Sequence, residues 1–98
     1  GEVTAYAEGF TNIIDIGFGD DGRLYVLELV SGGLLNVNPD DPATAAGALI
    51  RVEADGTHTE VQTEGLVFVT GLAVLDDGFY VSNFGVMPGA GQVVRVDQ

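Results

Sequence analysis

An internal repeat at an offset of about 56 residues constrains the fold of this chain more than any other feature. The Glu-Gly pair at Glu8 recurs at Glu64, and the Asp-Asp-Gly turn at Asp20 recurs at Asp76. The first copy also contains an insertion within 31–47, which is rich in Gly, Pro, Asn and Asp and is predicted to be a loop. Repeats of about 40–50 residues are typical of β-propeller blades and of some helical arrays.

The periodicity of the sequence decides between these two architectures. Short segments rich in β-branched and aromatic residues alternate with Asp-Gly pairs, which favour tight hairpin turns. No window keeps the i, i+3, i+4 apolar spacing of an amphipathic helix over three turns. We therefore predict an all-β fold with four short strands per repeat. The clearest strands are predicted at 14–18, 23–28, 48–53, 58–63 and 91–96, with hairpin turns at Asp21-Gly22, Asp55-Gly56 and Asp77-Gly78.

The order of the strands predicts two four-stranded antiparallel propeller blades that are shifted by one strand. With the strands of a blade called a to d from the inside outwards, 9–63 supplies all four and 64–98 supplies a, b and c. Residues 1–8 align with 57–64 at the repeat offset and take the place of a d strand. The chain, 1–98, is thus predicted to be one two-blade unit with the order d-abcd-abc. Its second blade is completed by residues 1–8 of a neighbouring chain.

Two blades cannot close a ring, and a single chain would leave apolar faces and a strand edge uncovered. We expect a closed propeller formed by three chains and six blades, with four chains and eight blades as the alternative. A monomeric eight-stranded sandwich or barrel is the second alternative. The predicted seam pairs the first strand of one chain with the last strand of another, and its residues are Val3, Ala5, Ala7, Val93, Val94 and Val96.

Composition excludes several classes of function. Fifteen Asp and Glu face three Arg and no Lys among 98 residues, so the formal net charge is −12. Phosphate groups are bound by Lys and Arg, so a nucleic-acid or membrane-surface partner is not expected. The absence of Cys removes disulfides, thiol catalysis and thiolate metal sites. The chain begins at Gly1 without an initiator Met or a signal peptide, which indicates a processed, trimmed or engineered start.

The repeat segments 10–28 and 66–83, with the third-strand patterns at 47–52 and 91–96, resemble blades of the ScyD/ScyE family. This family lies within the NHL/gluconolactonase-like six-bladed propellers. The resemblance covers nearly the whole chain and implies a propeller, with an extracytoplasmic location. Members of the family are several times longer. The resemblance therefore indicates a two-blade fragment or a designed self-assembling propeller.

The gluconolactonase-like enzymes hold a divalent metal over the central channel, through carboxylate and amide side chains just before an inner strand. The matching positions here are Ile14 and Thr70, and neither is a carboxylate. We therefore predict no cofactor and no catalytic residue, and we expect a non-catalytic module that assembles with itself. Weak ligand or cation binding is predicted at the channel mouth, and a metal-dependent lactonase-like hydrolase is the alternative. The candidate channel-mouth residues are Asp15, Glu28, Thr70 and Asn83.

The remaining chemically suggestive residues are given structural roles. The Asp-Asp-Gly sequences are predicted to be turns rather than catalytic carboxylate pairs, and His58 is predicted to be an exposed outer-strand residue. Each strand-end Arg is expected to pair with the acid two residues further on, as in Arg51 with Glu53 and Arg95 with Asp97. Four apolar residues are predicted to face the core, where they pack between blades: Phe18, Tyr25, Val74 and Tyr80.

Overall fold

Seven antiparallel strands form two sheets in the computed structural model, which describes residues 1–38, 40–76, 78–84, 89 and 91–97. The first sheet has four strands in the order β1-β2-β3-β4 and the second has three in the order β5-β6-β7. The all-β prediction is confirmed. The strands are β1 (Ile13–Phe18), β2 (Leu24–Glu28), β3 (Ala48–Val52), β4 (His58–Gln62), β5 (Gly71–Leu75), β6 (Gly78–Asn83) and β7 (Gln92–Val96).

The turns and the insertion follow the sequence with one difference. Gly22 and Gly56 have positive φ angles of 77° and 88°, which a glycine adopts without steric cost in a tight turn. Asp77, in the third predicted turn, lies outside the described residues. The insertion was expected to be a loop, but it contains two short 3-10 turns at Leu34–Asn36 and Pro42–Ala45. Among the described residues, no helix has the length and apolar character needed to cross a bilayer.

The two sheets differ by one strand, and the difference lies at β7. Each sheet places consecutive strands side by side, so β4 and β7 are the outer neighbours of β3 and β6 in the two sheets. The second sheet ends at β7, whose recorded pairing is with β6. Residues 1–12 form no strand in the single chain, and Val3 is 97% exposed. The described strands are thus compatible with a pair of propeller blades whose second member lacks its outer strand.

One apolar layer between the sheets is the core of the molecule. The first sheet contributes Tyr25, Leu27 and Leu49, and the rings of Tyr25 and Phe79 lie 4.6 Å apart. The segment between the sheets adds Leu66 and Val69, both almost fully buried. Apolar residues of the second sheet complete the layer, namely Leu72, Val74, Phe79, Val81, Val94 and Val96.

Two of the four residues predicted to face the core do not do so in the single chain. Tyr25 and Val74 lie in the layer between the sheets, as expected. Phe18, however, is 57% exposed, and Tyr80 is only half-buried. The physical reason is strand alternation: Gly17 and Phe79 point into the layer, so their neighbours Phe18 and Tyr80 point to the opposite faces of their sheets.

Gly17 on β1 lies close to Val74 on β5, the neighbouring inner strand of the second sheet. A Cβ atom added to Gly17 would lie 2.9 Å from Cγ2 of Val74. Real Cβ atoms do not approach carbon so closely, so a larger residue at position 17 requires the Val74 side chain or the strands to shift. Glycine at this position therefore sets the spacing of the core.

Replacement of Gly17 by Ala is expected to lower the free energy of unfolding by about 1–3 kcal/mol, the usual cost of overpacking a core. The matched control is Gly32→Ala, because a Cβ atom at Gly32 meets no atom within 4 Å. Urea unfolding followed by circular dichroism measures both variants. Equal stabilities for the two variants would contradict the close packing at Gly17.

Candidate functional site

Asp15 connects the inner strands of the two sheets. Its Oδ1 accepts a hydrogen bond from the backbone N–H of Ile16 at 2.9 Å, and its Oδ2 accepts one from Leu72 N–H at 2.8 Å. The residue that corresponds to Asp15 in the second repeat is Gly71, which has no side chain. One carboxylate therefore serves a backbone amide in each of the two repeats.

Thr70 lies next to this contact, at the start of β5. Its hydroxyl shares a 2.8 Å hydrogen bond with the Ser82 hydroxyl, and its N–H donates to the Ser82 carbonyl. Asp15 and Ser82 both line a shallow cavity of about 330 Å³, which Val93 also lines. The structure thus brings Asp15 and Thr70 to the same region, and their predicted ligand role at a channel mouth stays a prediction.

Glu28 and Asn83, the other two candidate residues, are buried and hold backbone groups of their own chain. Glu28 is 5% exposed, and its Oε2 accepts a hydrogen bond from Thr11 N–H at 2.7 Å. Asn83 is 1% exposed, and its Oδ1 accepts from Val67 N–H at 2.7 Å. The Asn83 Nδ2 also donates to the Gly65 carbonyl at 2.8 Å. These two residues close equivalent turns in the two repeats, and their predicted ligand role at a channel mouth stays a prediction.

Each of these turns contains a residue in the left-handed conformation that sequence reasoning did not identify. Asn12 has a φ of 48° and Phe68 has a φ of 45°, and they lie 56 positions apart. Such a conformation costs about 1–3 kcal/mol for a residue other than glycine and persists only where its surroundings fix it. Glu28 and Asn83 supply that fixation, because they bind the amides just before the two residues. The 56-residue offset between Asn12 and Phe68 is the signal in the sequence that marks them as equivalent turn positions.

A network of charged and hydroxyl groups lies at the end of β3. Arg51 pairs with Glu53 at 2.8 Å, and Arg23 approaches Glu53 at 3.1 Å. At the end of β7, a separate ion pair joins Arg95 to Asp97 at 3.1 Å. Both predicted Arg pairs are thus confirmed. Hydrogen bonds from the Thr59 hydroxyl and from Arg51 hold the pKa of Glu53 below its usual value.

Two carboxyl groups meet where the first turns of the repeats lie side by side. A hydrogen bond with Asp76, followed by the negative charge of Asp76, raises the pKa of Asp20 above its ordinary value of 3.8. Asp20 and Asp76 are the equivalent first residues of the two Asp-Asp-Gly sequences. Part of the net negative charge is therefore concentrated between the repeats. In the part of the chain that the structure describes, no three His, Asp or Glu side chains are grouped so as to hold a metal.

The predicted seam residues differ in exposure in the single chain. Val3 and Ala5 are exposed, and Ala7 is half-buried. On β7, Val93 is 71% exposed, whereas Val94 and Val96 pack against the core from the other side of the strand. The backbone edge of β7 and the segment 1–8 are thus not paired with each other in the single chain.

Replacement of Asn83 by Ala is expected to reduce the free energy of unfolding by about 1–3 kcal/mol, because it leaves the Val67 N–H without its buried acceptor. Ser82→Ala is the matched control, since among the described residues the Ser82 hydroxyl bonds to the exposed Thr70 hydroxyl. Thermal unfolding monitored by circular dichroism compares the two. A loss that is no larger for Asn83→Ala than for Ser82→Ala would show that the buried amide does not hold the turn.

Replacement of Asp20 by Asn is expected to stabilise the protein near neutral pH and to have less effect in acid. Because the folded-state pKa of Asp20 is raised, the native chain loses stability as pH rises from the ordinary Asp value through that pKa. The variant has no such group and escapes the loss. Melting temperatures of variant and parent from pH 3 to pH 7 measure the difference, with Glu60→Gln as a control that removes one exposed charge elsewhere. A difference that does not grow with pH contradicts the repulsion between Asp20 and Asp76.

Comparison with known proteins leaves the family of the chain as a prediction from its motifs. No family model, no curated protein and no solved structure matches the sequence or the fold of this chain.

Proposed function

We propose that the chain is a non-catalytic module whose activity is to assemble with copies of itself into a closed ring. The observation that carries the proposal is the unequal strand count of the two sheets, four against three. Residues 1–8 match the outer strand of the first sheet at the repeat offset, and they form no strand in the single chain. The same chain therefore contains a sheet that is one strand short and a segment that aligns with that strand but belongs to no sheet.

In the proposed contact, residues 1–8 of one copy add to the free edge of β7 of another copy. Such an addition gives the second sheet the same four strands as the first. It also removes an unpaired strand edge, which is otherwise a site of uncontrolled association. Val3, Ala5 and Ala7 align with Thr59, Val61 and Thr63, so Ala5 takes the place of a residue that packs against the core.

A ring of three chains and six blades is the expected product of this exchange. The contact is head to tail, because each copy gives its first segment at one side and receives another at β7. It is satisfied for every copy only when the rotation closes. Four chains with eight blades satisfy the same contact at a smaller angle per blade.

Native mass spectrometry at micromolar concentration is expected to give a species near 31 kDa, three times the 10.2 kDa of one chain. A mass of one chain under these conditions would contradict self-assembly. Ala5→Pro removes a backbone N–H donor and should shift the population to single chains, because a proline cannot complete the strand ladder. Ala5→Ser keeps the N–H and is the matched control. If Ala5→Pro keeps the parent mass, the strand exchange is wrong.

A further inference from the structure

The packing between the two sheets is a template for a second contact, because the repeat gives each sheet the same two faces. Inside the chain, Gly17 and Tyr25 of the first sheet face Val74 and Phe79 of the second. The equivalents of Gly17 and Tyr25 in the second repeat are Ala73 and Tyr80. By strand alternation they lie on the face of the second sheet that points away from the first.

This outward surface of the second sheet presents exposed apolar side chains beside the polar residues Ser82 and Arg95. We call it the second-sheet open face and define it by Ala73, Leu75, Tyr80 and Val93. Leu75 is 53% exposed and Val93 is 71% exposed, while Tyr80 is half-buried. Exposed apolar side chains that are contiguous in this way mark interaction surfaces.

The first sheet has the complementary surface on its own outward side. We call it the first-sheet open face and define it by Ile14, Ile16, Phe18 and Leu24, of which Leu24 is buried at 7% exposure. Ile14, Ile16 and Phe18 are 42%, 53% and 57% exposed. In the second repeat the positions of Ile16, Phe18 and Leu24 are taken by residues that all lie in the internal core, namely Leu72, Val74 and Phe79.

We infer that the second-sheet open face of one copy docks against the first-sheet open face of the next, and that Tyr80 packs on Leu24 as Tyr25 packs on Phe79. A second copy is the occupant because its two open faces are equivalent, at the repeat offset, to the two surfaces that pack together inside the chain. The second-sheet open face corresponds to the packed face of the first sheet, and the first-sheet open face corresponds to the packed face of the second. The inference rests on the proposed self-assembly and adds the residues that meet and the direction of the contact.

The place that the docking gives to Tyr80 lies beside a cavity of the single chain. A half-open cavity of about 470 Å³ is lined by Leu24 and Val52 together with the charged residues Arg23, Asp21 and Glu53, and Tyr6, which is 79% exposed, lies at its border. The Tyr6 ring meets Phe18 edge-on at 6.4 Å. The segment 1–8 therefore touches the first-sheet open face through Tyr6 but leaves most of Phe18 exposed. Its transfer to β7 of another copy removes this contact at the same time as it completes the sheet.

The hydrogen bonding of the inner strands agrees with such a contact. Inside the chain, the Leu72 N–H needs the carboxylate of Asp15 from the neighbouring sheet. In the docked pair the equivalent amide is that of Ile16, and the neighbouring residue is Gly71, which offers no acceptor. The Ile16 N–H already donates to its own Asp15 Oδ1 at 2.9 Å. The second contact thus leaves no inner-strand amide of this pair without an acceptor.

Cysteine cross-linking tests the residue pairing, since the chain contains no Cys of its own. The internal positive control is Gly17→Cys with Val74→Cys in one chain. A Cβ at position 17 lies 3.9 Å from the Val74 Cβ, within the range of a disulfide. The equivalent pair between copies is Ala73→Cys in one chain and Phe18→Cys in another. These two single variants are refolded together and oxidised.

The mixture is expected to give a covalent dimer of twice the chain mass, whereas each single variant oxidised alone gives none. A dimer from either single variant alone indicates a contact of each face with itself and overturns the head-to-tail docking. No dimer from the mixture, with a normal internal control, overturns the docking as well.

Val93→Glu supplies a second measurement, because it places a charge on the second-sheet open face. We expect at least a tenfold rise in the dissociation constant of the assembly. Leu35→Glu is the matched control, since Leu35 is fully exposed and lies outside both open faces. If the parent chain has the ring mass and Val93→Glu assembles as tightly as Leu35→Glu, the docking is wrong while self-assembly stands. If the parent chain itself has the mass of one chain, both are wrong.

Discussion

The packing of the two sheets against each other is the interaction on which the rest of the structure depends. Each sheet is too thin to bury its own apolar side chains, and Tyr25 and Phe79 become buried where the sheets meet. The close approach is possible because Gly17 leaves room for Val74. It also brings the inner strands within reach of one carboxylate, so the hydrogen bond from Leu72 to Asp15 is a consequence of the apolar contact.

The two repeats reach the same backbone geometry with different side chains. Glu28 and Asn83 occupy equivalent positions, and each accepts a hydrogen bond from a backbone amide before the inner strand of its own repeat. A carboxylate and an amide oxygen are interchangeable as acceptors, but only the amide can also donate, as Asn83 does to Gly65. The two repeats therefore share the same backbone geometry at these positions although their side chains differ.

Local patterns in the sequence predicted the fold class and most strands, because alternation and Asp-Gly turns are read over a few residues. They could not tell which neighbour covers each face, and so Phe18 and Tyr80 were assigned to a core that the single chain does not provide. The partners of Glu28 and Asn83 lie 17 and 16 residues upstream and have no local signature. Glu28 and Asn83 were therefore predicted to bind a ligand, because both carry side-chain oxygen atoms at equivalent strand ends. Asp15 and Thr70 lie near each other in the structure because β1 packs beside β5, which the repeat pattern alone does not show.

The carboxylate of Asp15 makes the two repeats unequal in a way that their matching backbones conceal. The first repeat satisfies the Ile16 amide with its own acid, whereas the second borrows the same acid for Leu72. Position 71 is glycine, so the second repeat offers no side-chain acceptor at the equivalent position. The second repeat therefore depends on a neighbouring sheet that carries Asp15 to bond its Leu72 amide, whereas the first repeat bonds its Ile16 amide without a neighbour.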